Sequence, residues 1–176
     1  MNQDRRSEPY NFILAHTSSL PPGSRALFLG KGHGRNAVLL AKIGVHVEVL
    51  DSNDKELLAV QKAASEANVF LITRHTRIEY WNLPHIYDAI ILGELPLPSA
   101  KHTYLFEKIL STLSPNGLFI GEMWSEDTPE AIQSGQEPYH LIALYSLFQN
   151  LPCRLLKISK EFINNRYLMR IVVQKT

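Results

Sequence analysis

Hydrophobic positions along the chain follow two rhythms, short unbroken apolar runs and longer stretches with helical spacing. Residues 26–29, 45–50, 69–73, 87–92 and 118–123 are apolar runs of strand length, and each predicts a buried strand. The stretches between several of them have the other period. Residues 36–43 read as a helix closed by Gly44. Residues 54–68 place Leu57, Val60, Ala64 and Ala67 on one helical face, with Asp54 in the first turn. A helix over 101–112 stacks Leu105 on Ile109 and stops before the turn Pro115-Asn116-Gly117. A last helix over 139–150 brings Leu141, Leu144, Tyr145 and Phe148 together.

The end of the chain changes character. Residues 154–162 and 167–174 alternate like exposed strands, and Asn164-Asn165 between them suits the positive φ of a tight hairpin. Residues 4–9 are charged and read as a loose lead-in. Strands alternating with helices predict right-handed crossovers and a mostly parallel sheet covered on both faces, here closed by an antiparallel hairpin. No repeat or linker divides the chain, so residues 1–176 are expected to form a single domain.

Composition narrows the chemistry. The 176 residues are 45 % hydrophobic and 20 % charged with a formal net charge of +1, which gives no field for collecting phosphates. No nucleic-acid partner is expected. The polar N-terminus lacks an apolar leader, no run is long enough to span a bilayer, and Cys153 is the only cysteine. A cytoplasmic protein without membrane contact is the expectation. The seven histidines show no paired ligand spacing, so no metal is predicted, and no serine or cysteine sits in a nucleophile elbow.

The functional signal is concentrated in Gly30-Lys31-Gly32-His33-Gly34-Arg35-Asn36, where a strand runs into three alternating glycines and opens a helix. Glycines there permit a sharp turn and let a ligand approach bare N–H groups at a helix start. The next strand ends about twenty residues on at Asp51, where a carboxylate can accept hydrogen bonds from a ribose diol. A dinucleotide fingerprint would have its third glycine at Arg35; here it is Gly34, which disfavours NAD.

Residues 26–53, "ALFLGKGHGRNAVLLAKIGVHVEVLDSN", resemble the first two motifs of bacterial class I S-adenosylmethionine-dependent methyltransferases. They are closest to the tellurite-resistance-type small-molecule methyltransferases, in which Gly-Arg-Asn-Ala follows the glycine loop. Glu8-Pro9-Tyr10-Asn11-Phe12, Trp81-Asn82-Leu83-Pro84 and residues 113–120 extend the similarity over nearly the whole chain. The resemblance implies a Rossmann-like three-layer α/β sandwich with a seven-stranded, mostly parallel sheet whose last strand is antiparallel. It also implies S-adenosylmethionine as cofactor and a small-molecule acceptor, with the protein a monomer or homodimer.

By that resemblance Gly30, Lys31, Gly32 and Gly34 would line the methionine end of the cofactor, with Asn36 at the helix start near its carboxylate. Asp51 would hold the ribose and Ser52 would lie beside the adenine. Ile78 would meet the adenine edge, and Leu92 and Gly93 would form the floor. Three positions depart from the pattern. Phe28 replaces an acidic residue near the cofactor's ammonium end, and an unpaired group there would cost about 1–3 kcal/mol, roughly tenfold to a hundredfold in affinity. Lys31 would repel a sulfonium if it pointed inward. Arg77 stands where an acceptor for the adenine amino group is usual, with Glu79 as a nearby substitute.

In-line methyl transfer draws much of its rate from positioning, and needs a base only when the nucleophile arrives protonated. Glu94 is the ionisable side chain of the loop after the fourth strand and the candidate catalytic residue. Related enzymes often carry a histidine in this loop, and Pro96 occupies that position. Tyr10, Trp124 and Tyr139 are candidate lid residues over the acceptor. Two readings remain open. One is methyl transfer to a small molecule; the other is a catalytically inactive binding or interaction module that has lost normal cofactor affinity.

Overall fold

The computed structural model describes residues 8–30, 34–82, 85–94, 98–129 and 137–176, with side chains from Phe12 onward. In chain order the elements are α1 (Glu8–Thr17), β1 (Arg25–Leu29), α2 (Gly34–Lys42), β2 (His46–Asp51), α3 (Asp54–Glu66) and β3 (Ile72–His75). β4 (Tyr87–Leu92), α4 (His102–Thr112), β5 (Leu113–Trp124), α5 (Leu141–Gln149), β6 (Cys153–Ile163) and β7 (Arg166–Lys175) complete them. Short 3₁₀ turns at Ile78–Tyr80 and Ser99–Lys101 flank β4.

The strands form one seven-stranded sheet in the order β3-β2-β1-β4-β5-β7-β6. β3 through β5 in that row are parallel, and β7 runs antiparallel to both its neighbours. The expected three-layer sandwich and closing hairpin are present. On one face Phe12 and Ile13 of α1, Ala37 and Leu40 of α2, and Leu57 and Val60 of α3 pack on Ala26, Phe28, Ile91, Ile120 and Val172. On the other, Phe106 and Ile109 of α4 and Leu144 and Phe148 of α5 pack on Leu27, Leu29, Ile90 and Ile171. Alternate residues of the central strands thus feed different cores, as a period of two requires.

Local chemistry explains the turns. Gly44, at φ +88°, ends α2, and the next N–H, from Val45, donates to the Leu40 carbonyl at 3.1 Å. Asn164 and Asn165 both have positive φ, 51° and 64°, and connect Ile163 directly to its partner Arg166.

Four expectations need correction. Helix α1 begins at Glu8, inside the stretch 4–9 read as a loose lead-in, and runs to Thr17. The third strand lies at Ile72–His75 rather than 69–73, and as a sheet edge it is half exposed instead of buried. Pro115-Asn116-Gly117 does not precede β5 but lies inside it, because Leu113 already pairs with Tyr87 before Leu118 resumes pairing at Ala89. Finally, β7 is not exposed: six consecutive residues, Leu168 to Val173, are buried because β7 sits between two strands.

Candidate functional site

Register puts the strand tips in one row. Leu29 of β1 pairs with Leu50 and Leu92, Leu92 with Gly121, and Gly121 with Ile171. One residue further, therefore, Asp51, Gly30, Gly93, Glu122 and Arg170 stand side by side at the carboxyl ends of the parallel strands. Open α/β sheets bind ligands at that edge.

Gly30 has φ +86° and its N–H reaches Leu50 O at 3.4 Å, while Gly93 N–H donates to Leu29 O at 2.9 Å. These contacts tie the ends of β2, β1 and β4 into one floor. A Cβ at Gly34 would lie 3.7 Å from Val60, an ordinary packing distance, so nothing among the described residues demands a glycine there. Lys31 and Gly32 lie outside the described residues.

Asp51 is 8 % exposed. Its Oδ1 accepts from Asn53 N–H at 2.8 Å, which orients the carboxylate, and its Oδ2 is sealed from solvent with no partner among the described residues. The tip of β2 is braced by Thr76 N–H on Asp51 O at 3.1 Å and by His75 Nε2 against Ser52 O at 3.0 Å. Asn36 of α2 carries a second sealed oxygen, Oδ1, that has no partner among the described residues. Buried acceptors are normally satisfied, so two orphans near one glycine turn need an explanation.

The other expected cofactor residues are placed less uniformly. Ser52 is exposed beyond β2, and Ile78 is buried at the start of its 3₁₀ turn. The Leu92 side chain belongs wholly to the core beneath α4, so only its backbone lies at the floor. Phe28 is fully buried on the α1–α2 face and packs among core side chains. Arg77 is exposed, and Glu79 is engaged by Lys101 Nζ at 3.0 Å, whose hydrogen bond holds its carboxyl below the usual range.

Of the acceptor-side residues, Glu94 is half-buried and ion-paired with Arg166 Nη1 at 3.1 Å. Trp124 is half-buried at the end of β5, with a sealed Nε1–H that has no partner among the described residues. Tyr139 does not serve as an open lid: it is 1 % exposed, stacks on His102 at 4.4 Å and joins the core. Tyr10 belongs to α1, with its side chain outside the described part, and Pro96 is also outside it.

The sequence reading missed Glu122 and Arg170, which are 9 % and 7 % exposed. Arg170 Nε donates to Glu122 Oε2 at 2.9 Å, and Nη1 to Glu161 Oε2 at 2.6 Å. Burial pushes the Glu122 carboxyl up to about 7 against the pull of Arg170. For Glu161 burial also acts upward, but hydrogen bonds from Ser159, Lys157 and Arg170 outweigh it and bring the group to about 2. The available signal was one charged residue at a core-facing position of each apolar strand. No group of three metal-ligating side chains occurs among the described residues, and no described helix is long and apolar enough to cross a membrane.

Comparisons with known proteins agree with this architecture. No curated protein matches the chain. Among solved structures, TehB from Haemophilus influenzae superposes with a TM-score of 0.75 at 16 % identity, covering 97 % of this chain and 65 % of that one. The chain therefore spans about two thirds of that relative's length. Magnesium protoporphyrin IX methyltransferase from Synechocystis PCC 6803, solved with bound SAH, gives 0.79 at 12 % identity, over 98 % of this chain and 83 % of that one. N-methyltransferase NodS from Bradyrhizobium japonicum WM9 gives 0.77 at 13 % identity, over 99 % and 98 %. At such identities the likeness shows the fold. The profile of the family described as "Tellurite resistance protein TehB" matches residues 4–111, more than half of the sequence, and the chain belongs to that family.

Proposed function

We propose that the protein transfers a methyl group from S-adenosylmethionine to a small-molecule acceptor. The observation that carries this reading is the Asp51 carboxylate beside Gly30, oriented through one oxygen and left with the other buried and without a partner among the described residues. A ribose hydroxyl is the kind of donor that would satisfy it. The residues present also suit the methionine end. Asn36 Oδ1 offers a buried acceptor for an N–H donor, which supplies part of what the buried Phe28 cannot. Bound there, the cofactor supplies an electrophilic methyl group. The chain's contribution is to hold it against the Gly30–Gly93 floor, fix the ribose through Asp51 and keep water from the reacting centre. Family membership and the methyltransferase neighbours support the same reaction class. The lone free thiol, Cys153, suits a reducing cytoplasm.

Calorimetric titration with S-adenosylmethionine and S-adenosylhomocysteine tests the reading. Micromolar binding is expected, with Asp51→Ala weakening it at least tenfold, the loss of about one charge-assisted hydrogen bond. One observation favours the alternative of a non-catalytic module: the ring of Phe28 fills the place of an acid. Silence with both ligands at millimolar concentration would select it.

A further inference from the structure

Methyl transfer as described leaves Glu122 without a task. It lies on the sheet face shared by Phe28, Ile91 and Ile120, level with Gly93 on the neighbouring strand. Its surroundings are unequal. Glu161 is held by Arg170, by Lys157 Nζ at 2.9 Å and by Ser159 Oγ at 2.7 Å, whereas Glu122 has only Arg170. The Arg170 guanidinium lies 4.8 Å from the centroid of Phe12, and Lys157 Nζ lies 5.3 Å from the same ring. Glu94 repels Glu122 from the β4 side, while the Arg166 guanidinium is engaged by Glu94 itself. Glu122 Oε1 therefore takes no hydrogen bond from the described residues, and the side chain keeps 10 % of its surface exposed.

We propose that Glu122 Oε1 receives the acceptor substrate, binding a protonated small amine through N–H···O contact and accepting its proton. This assignment rests on the methyl-transfer reading. The proton step balances simply: an N–H bond of the ammonium breaks, the Oε1–H bond forms, and the nitrogen lone pair becomes available. Oε1 then returns the proton to water. At Oε1 itself like charge opposes an anionic acceptor, because Glu94 stands on the β4 side and Arg166 and Arg170 already bind carboxylates. A carboxyl poised near neutrality is also suited to exchanging protons at ordinary pH.

The test follows the Glu122 side-chain carboxyl of the cofactor-free protein by carbon NMR while pH is varied, with ethanolamine, benzylamine or phenylacetate added. Either amine should displace the Glu122 inflection downward by half a unit or more, and phenylacetate should not. Glu122→Gln should abolish the amine-dependent shifts of neighbouring signals yet keep S-adenosylhomocysteine affinity within twofold. No amine response in the natural protein, or the same response in the variant, would overturn the assignment. So would methylation of thiols or phenols with amines untouched. Loss of cofactor binding in calorimetry, with the amine response intact, would instead count against the methyl-transfer reading alone.

Discussion

A phenylalanine at position 28 changes what an obvious repair would do. Its ring is fully buried and packs with core side chains from α1 and α2, so a carboxylate there would not simply restore a missing cofactor contact. Phe28→Asp should lower stability by about 3–5 kcal/mol from the lost ring alone, visible as a reduced urea midpoint. Unchanged stability with tighter S-adenosylmethionine binding would show that the ring is dispensable. Gly34 behaves oppositely. Its Cβ space is open to ordinary contact with Val60, so Gly34→Ala should leave stability unchanged or raise it by up to about 1 kcal/mol. If a ligand is what requires the bare backbone, the same variant should bind S-adenosylhomocysteine at least tenfold more weakly in calorimetry. Equal affinity would assign the glycine no role at the site.

At the scale of elements, the β6–β7 hairpin depends on two residues that tolerate positive φ. Replacing Asn165 by valine should cost about 1–2 kcal/mol in chemical unfolding, since a β-branched side chain resists the left-handed region. This turn was legible in the sequence because its determinants are adjacent. So were β1, β2 and β4, whose apolar runs are bounded by turns, and the placement of Gly30 next to Asp51 at adjacent strand ends. α1 was less visible: Pro9 and the charged residues around it suggested a lead-in, yet Phe12 and Ile13 provide enough apolar contact to dock the helix. The Pro115-Asn116-Gly117 excursion read as a boundary because local turn chemistry does not reveal that Leu113 is already paired. Glu122 and Arg170 were missed for a similar reason. They are 48 residues apart, and only the β5–β7 register brings them together.

For the whole molecule, the Glu122–Arg170–Glu161 group couples folding to pH in two directions. Glu161 is shifted from 4.5 down to about 2, so its contribution is present above 4.5 and is lost as pH falls toward 2. Glu122 is shifted from 4.5 up to about 7, so the fold favours its protonated form and loses stability as pH rises from 4.5 to 7. The group's combined contribution should therefore peak near pH 4.5. Unfolding free energies at pH 3, 4.5 and 8 should show Glu122→Gln removing the decline on the alkaline side. A stability difference that stays constant across pH would exclude the coupling.

β7 is one of the last segments in chain order, yet it fills an interior place in the sheet. While a ribosome is still translating residues before 166, β5 has no partner on that side, and β6 has no strand beside it. A nascent chain that has not yet delivered β7 thus exposes a bare strand edge while the apolar runs of β1 to β5 are already made. Chaperone capture or protease attack should concentrate in that interval and cease abruptly once the antiparallel strand slides in.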